Sequence, residues 1–189
     1  MKKETKTEKF NIELTFTSLF VLFVFCFFGF IYPNHISFQE QLQLFLLTPE
    51  FLCNYLSLPG GVSAYLGGFL VQFFALPLVG AAVVSALALL LQQTLKYLLK
   101  SLGLSQNFYP LSFFPAVNYC MLLCDEFYPL SGLLGLTLAV LFSLLYLKIK
   151  REGLRTWLLI PFYALLFYVV GGASLVLLIV AWYLKTKKK

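Results

Sequence analysis

Eight carboxylates, one histidine and four cysteines are the groups in this 189-residue chain that could do chemistry. Four carboxylates, Glu40, Glu50, Asp125 and Glu126, lie in segments free of Lys and Arg. Such acids could hold a divalent cation or act as a general base on a lipid-linked substrate. More commonly they are solvated and simply keep their loops out of an apolar phase. His35 is the single histidine, so no multi-histidine metal site can form. A hydrolase would need His35 with a serine such as Ser37 or Ser63, and no nucleophile motif surrounds either. No Gly-rich loop leads into Lys-Ser/Thr, so there is no nucleotide cradle. Cys26 and Cys120 sit inside apolar runs as small apolar residues. Cys53 and Cys124 fall near one face, where an oxidising compartment would allow a disulfide. The residues imply neither a cofactor nor a resident metal.

The elements that carry these groups are overwhelmingly apolar. The chain is 60% hydrophobic and 12% charged, with mean hydropathy +0.86. A soluble domain carries about 25% charged residues. Long uncharged runs with this composition belong to the membrane class. The net charge of +6 does not mean nucleic acid. The bases form short clusters beside apolar spans, not one aromatic-laced face.

In chain order, residues 1–13 read as a cytoplasmic tail, and 14–32 as a first, uncleaved span ending at Tyr32-Pro33. Phe38, Leu42, Phe45 and Leu46 recur at helical spacing, with Gln39, Gln41 and Gln43 between them. That pattern is an amphipathic interfacial helix over 38–47. Thr48-Pro49-Glu50 starts a second short helix over 50–57. The run from Leu58 to Lys100 is too long for one crossing and too short for three. It divides into a re-entrant or interfacial segment, 62–76, and a span, 77–95. Further spans follow at 109–124, with Pro110 and Pro115, and at 128–147. Along the latter, Ser131, Gly135, Ala139 and Ser143 form a small-xxx-small stripe that lets a neighbouring helix pack closely. Asn118 is the polar residue singled out within these spans, for helix–helix hydrogen bonding.

The last apolar run has bases before it (Lys148, Lys150, Arg151, Arg155) and after it (Lys185, Lys187, Lys188, Lys189). An even number of crossings follows, so a short hairpin of 157–170 and 173–184 turning at Gly171-Gly172 is favoured. One tilted helix with its tail outside fits length better and charge worse. Residues 186–189 close the chain as a second cytoplasmic tail. On this threading all 14 Lys and Arg lie on one side.

The run from Phe38 to Phe74, then LPLVGAAVVSALALLLQ, LLCDEFYPLSG and FYVVGGASLVLLIVAWYL, resembles an uncharacterised bacterial family of multi-pass membrane proteins. The resemblance covers about residues 14–185 and implies an N-terminal membrane part of a longer protein. The order of first span, acidic outer loop and second span is also similar to lipid-linked sugar transferases of the GT-C fold. That likeness makes Glu40 the catalytic acid. The doublet acid motif usual there is missing, and Val170-Gly171-Gly172 replaces the lysine often found beside a glycine in the late span.

The reading is therefore an all-α polytopic membrane protein with about four full spans in residues 14–185. A C-terminal short hairpin and interfacial helices between spans 1 and 2 complete it. It sits in a bacterial inner membrane with its N-terminus cytoplasmic. It is a non-enzymatic membrane module, or alternatively a partial GT-C-like glycosyltransferase. Its partners are membrane lipid and itself or another membrane protein, through the Ser131, Gly135, Ala139 and Ser143 face.

Overall fold

A computed structural model describes residues 4–125 and 127–187, with side chains from residue 11 onward apart from those of 106 and 107. Helices, and no strands, make up the regular structure of the described residues. Prolines set several of the starts. Helix α1, Glu4–Cys26, runs into a π-helical turn, Phe27–Ile31, and breaks at Tyr32. Pro33 then opens α2, Pro33–Leu42, because a helix's first position needs no N–H donor. Thr48 is extended, as a residue before proline tends to be. Its hydroxyl accepts from Phe51 N at 3.3 Å and caps α3, Pro49–Leu56. The helix expected at 38–47 therefore lies at 33–42, and it turns His35, Ile36 and Gln39 inward while Phe38 and Leu42 face out.

Gly60 (φ 79°) turns the chain into α4, Gly61–Val71, which tightens to a 3-10 turn, Gln72–Ala75. Pro77 opens α5, Pro77–Ser101. A 3-10 segment, Gln106–Ser112, precedes the nine-residue α6, Phe114–Leu122. Pro110 and Pro115 each lack an N–H, so no single long helix forms between 106 and 122. Helices α7, Ser131–Leu147, α8, Glu152–Val170, and α9, Leu175–Thr186, complete the chain.

Three helical stretches of the described chain are long and apolar enough to cross a membrane: Asn11–Ile31, Pro77–Ser101 and Glu152–Thr186. The last has 35 residues but is not one rod. Gly171, at φ 63° and ψ −131°, ends α8 in a conformation that L side chains rarely adopt. Tyr146, late in α7, has its ring 6.2 Å from that of Phe162. A Cβ on Gly135, early in α7, would lie 3.7 Å from the Val170 carbonyl oxygen. Helices α7 and α8 are therefore antiparallel. Helix α9 returns, and Lys187 Nζ donates to Leu102 O at 2.6 Å, just past the end of α5. A straight 35-residue helix would span roughly 52 Å and carry Lys187 away from that point. Helix α9 leans chiefly on α7, and α8 packs on α4 as well as on α7.

The remaining directions follow from contacts at the two ends. At one, Lys96 pairs with Glu13 at 2.7 Å and Tyr109 OH donates to Glu13 O at 2.8 Å. At the other, Gln39 Nε2 donates to Tyr128 O at 3.1 Å, and Gly80 packs under Ile36 and Phe74. So α1 and the 109–124 segment run one way, and α5 and α7 run back. Lys96, Lys100, Lys148, Lys150, Arg151, Arg155, Lys185 and Lys187 all collect at one end. Lys2, Lys3, Lys188 and Lys189 lie outside the described residues.

Helices α5 and α7 make the centre, where Val84, Leu91, Leu133 and Val140 are buried. Around it, exposed Phe16, Phe23, Trp157, Ile160, Ile179 and Trp182 form an apolar outer surface. The small-residue stripe lies inside the chain. A Cβ on Gly67 of α4 would be 2.7 Å from Ser131 Cα, and Gly135, Ala139 and Ser143 are buried.

Helices α3 and α4 form a second hairpin, clasped by rings: Phe45 and Tyr55 lie 5.0 and 6.0 Å from Tyr65. Its turn meets the turn between α8 and α9. Gly60 N donates to Tyr168 O at 2.8 Å, and Tyr168 OH donates to Leu56 O. A Cβ on Gly60 would lie 3.3 Å from Gly171 Cα, so both tips need glycine.

Candidate functional site

Of the acids singled out in the sequence, Glu40 and Asp125 are among the described residues, and neither joins a group of three His, Cys, Asp or Glu side chains there. Glu40 is half-buried on α2. Its neighbour Gln39, not Glu40, reaches across to the Tyr128 and Asp125 carbonyls. Asp125 is exposed, and its Oδ1 accepts from Phe127 N at 3.0 Å, so the carboxylate holds its own turn. Glu126 lies outside the described residues. Between α2 and this loop is a small cavity of about 120 Å³, lined by Gln39, Gln43, Val71, Phe127 and Tyr128 among others. Its polar lining is amide and backbone. It can hold a polar group by hydrogen bonds, but no carboxylate among the described residues lines it to act as a base.

His35 is 6% exposed, with its ring 4.9 Å from that of Tyr32 and Nε2 buried without a partner. Ser63 donates to Gly60 O at 2.9 Å at the hairpin tip, so it is engaged with backbone. The four cysteines are free thiols. Cys53 is exposed on α3, and Cys124 Sγ, just past the end of α6, donates to Cys120 O, 3.4 Å away. Among the described residues no three His, Cys, Asp or Glu side chains group as a metal site would require.

The most connected polar group lies elsewhere, between α1, α5 and the 3-10 segment. Tyr109 OH sits 2.8 Å from both Thr17 Oγ1 and Glu13 O. Lys96 Nζ lies 5.1 Å above the Tyr109 ring while pairing with Glu13. One turn deeper, Gln92, fully buried, donates to Ser112 Oγ at 3.0 Å, and Ser112 donates to Tyr109 O at 2.7 Å. Gln92 Oε1 has no partner. Asn118, by contrast, is exposed on α6. The signal for Gln92 was present: a glutamine pair, Gln92-Gln93, interrupts a long apolar helix. In an apolar surrounding such amides turn inward and bond between helices. This cluster ties three segments together with an ion pair, a cation over a ring and hydrogen bonds. It offers no nucleophile beside a base.

A family model described as "Family of unknown function (DUF6057)" matches residues 9–189. The chain belongs to that family. No curated protein and no solved structure matches it. The DUF6057 match takes in α1 from residue 9 onward, every later element to α9, and both hairpins.

Proposed function

We propose that this DUF6057 chain is a polytopic module of a bacterial inner membrane, non-enzymatic, with its N-terminus in the cytoplasm. One observation carries the reading. The described lysines and arginines collect at one end, and large apolar side chains cover the outside of the helices between the two ends. In lipid every backbone polar group must be satisfied internally, which helices do, and cationic residues stay on the cytoplasmic face. On this reading α1, α5, the 109–124 segment, α7, α8 and α9 thread the bilayer in turn. The α3–α4 hairpin enters from the outer side and docks on the α8–α9 turn. Lipid is the immediate partner.

The test has two parts. Alkaline carbonate extraction should leave the chain in the membrane pellet. In intact cells an impermeant maleimide should label Cys53, while Lys187→Cys in a Cys53→Ser background should label only after lysis. A chain released by carbonate, or labelling of both positions from outside, overturns the proposal.

A further inference from the structure

We propose that a groove between α1 and α5 is the seat of an anionic phospholipid, taken from the cytoplasmic leaflet; this rests on the membrane reading above. The groove has a volume of about 750 Å³, within the range of small-molecule pockets and sufficient for an acyl chain. Leu14, Ser18 and Leu22 form one wall, and Ala82, Ala86 and Gln93 the other. The trench exists because Ser18, Ala82 and Ala86 are short and exposed where the two helices diverge.

The occupant is named by what continues the groove. Along α5 the wall steps from Ala82 to Ala86, Leu89 and Gln93 at helical spacing. The same register brings Tyr97 and then Lys100 to the end where the cations collect, and both are exposed. Lys96 lies beside them, closing the α1–α5 gap through Glu13. An apolar trench leading to a carboxamide, a phenol and an ammonium matches an acyl chain leading to a phosphate. Tyrosine belongs at headgroup level, and basic side chains at the cytoplasmic surface favour anionic lipids. A helix from a second copy would use the trench but not the ammonium.

Native mass spectrometry of the full chain in detergent, with dioleoylphosphatidylglycerol or dioleoylphosphatidylcholine added, tests this. One phosphatidylglycerol should be retained, about fivefold more tightly than phosphatidylcholine, the preference one surface lysine supplies. Lys100→Gln should erase the preference while leaving both lipids able to bind. Ala82→Leu with Ala86→Leu, both at exposed positions on the groove wall, should abolish retention of either. Equal retention of the two lipids by the parent chain, or unchanged retention by the double variant, overturns the proposal. So does a dimer that the double variant dissolves, which places a second copy in the trench. A chain that pellets with membranes but retains no lipid defeats the groove alone. A chain released by carbonate defeats the membrane reading as well.

Discussion

At the level of single residues, close backbone approach decides which substitutions matter. Gly67 lies against the backbone of Ser131, so a side chain there must push α4 off α7. Gly67→Ala should cost about 1–3 kcal/mol, as overpacking of a tight contact does. Gly153→Ala, where an added Cβ meets nothing within 4 Å, should be neutral. Thermal unfolding in detergent, read by tryptophan fluorescence, separates the two. The Glu13–Lys96 pair is partly exposed, with side chains 19% and 28% accessible. A double-mutant cycle with Glu13→Gln and Lys96→Met should therefore give a coupling of about 1 kcal/mol or less. A larger value would mean that the pair is screened from water more than its exposure implies. Neither contact was legible beforehand. Glycine 67 announces that something comes close, but not that the something is Ser131, 64 positions on.

Helices and hairpins come next, and here the small-residue stripe changes meaning. Its spacing identified a packing face, and that face is filled by α4 and α8 of the same chain. Gly135→Leu should then lower the stability of the isolated chain by about 1–3 kcal/mol at any protein concentration. Loss that appears only at low concentration would point to contact between copies instead. The Gly171 turn behaves similarly. Gly171→Val must hold a branched side chain at φ 63° and also meet Gly60, so about 1–3 kcal/mol of strain is stored there. The expected readout is increased protease sensitivity at the 171–174 turn, with α5 and α7 still protected. Two element starts were readable because proline and threonine act locally: Pro49, behind Thr48, and Pro77 each begin a helix, whereas Pro33 begins one five residues before the expected start. The inward face of α2 was not. Its apolar periodicity pointed to Phe38 and Leu42, yet in an apolar surrounding that pattern does not say which side is the interior.

For the molecule as a whole, on the membrane reading proposed above, charge governs orientation. The loop carrying Lys148, Lys150 and Arg151, with Arg155 just beyond, gathers four of the bases at the cationic end. Replacing all four with serine should weaken the orientation of α8 and α9. A reporter fused after Lys187 would then appear on both sides of the membrane, while one fused after Ser101 stays inside. Unchanged sidedness of both reporters would mean that packing on α7, not the bases, holds the hairpin.

The amino-acid order alone determined the helical, strongly apolar class, the helix starts at Pro49 and Pro77 and the clustering of bases, because each depends on composition or on neighbours within a turn or two. Family membership adds no function to that. Tertiary structure decided the rest. Glu40 and Asp125 do not meet in one site. Gln92, rather than Asn118, makes the interhelical hydrogen bond, and the tips at Gly60 and Gly171 touch. These are contacts between residues 20 to more than 100 positions apart. They are set by how helices stack, and no local pattern encodes the depth or rotation of one helix against another.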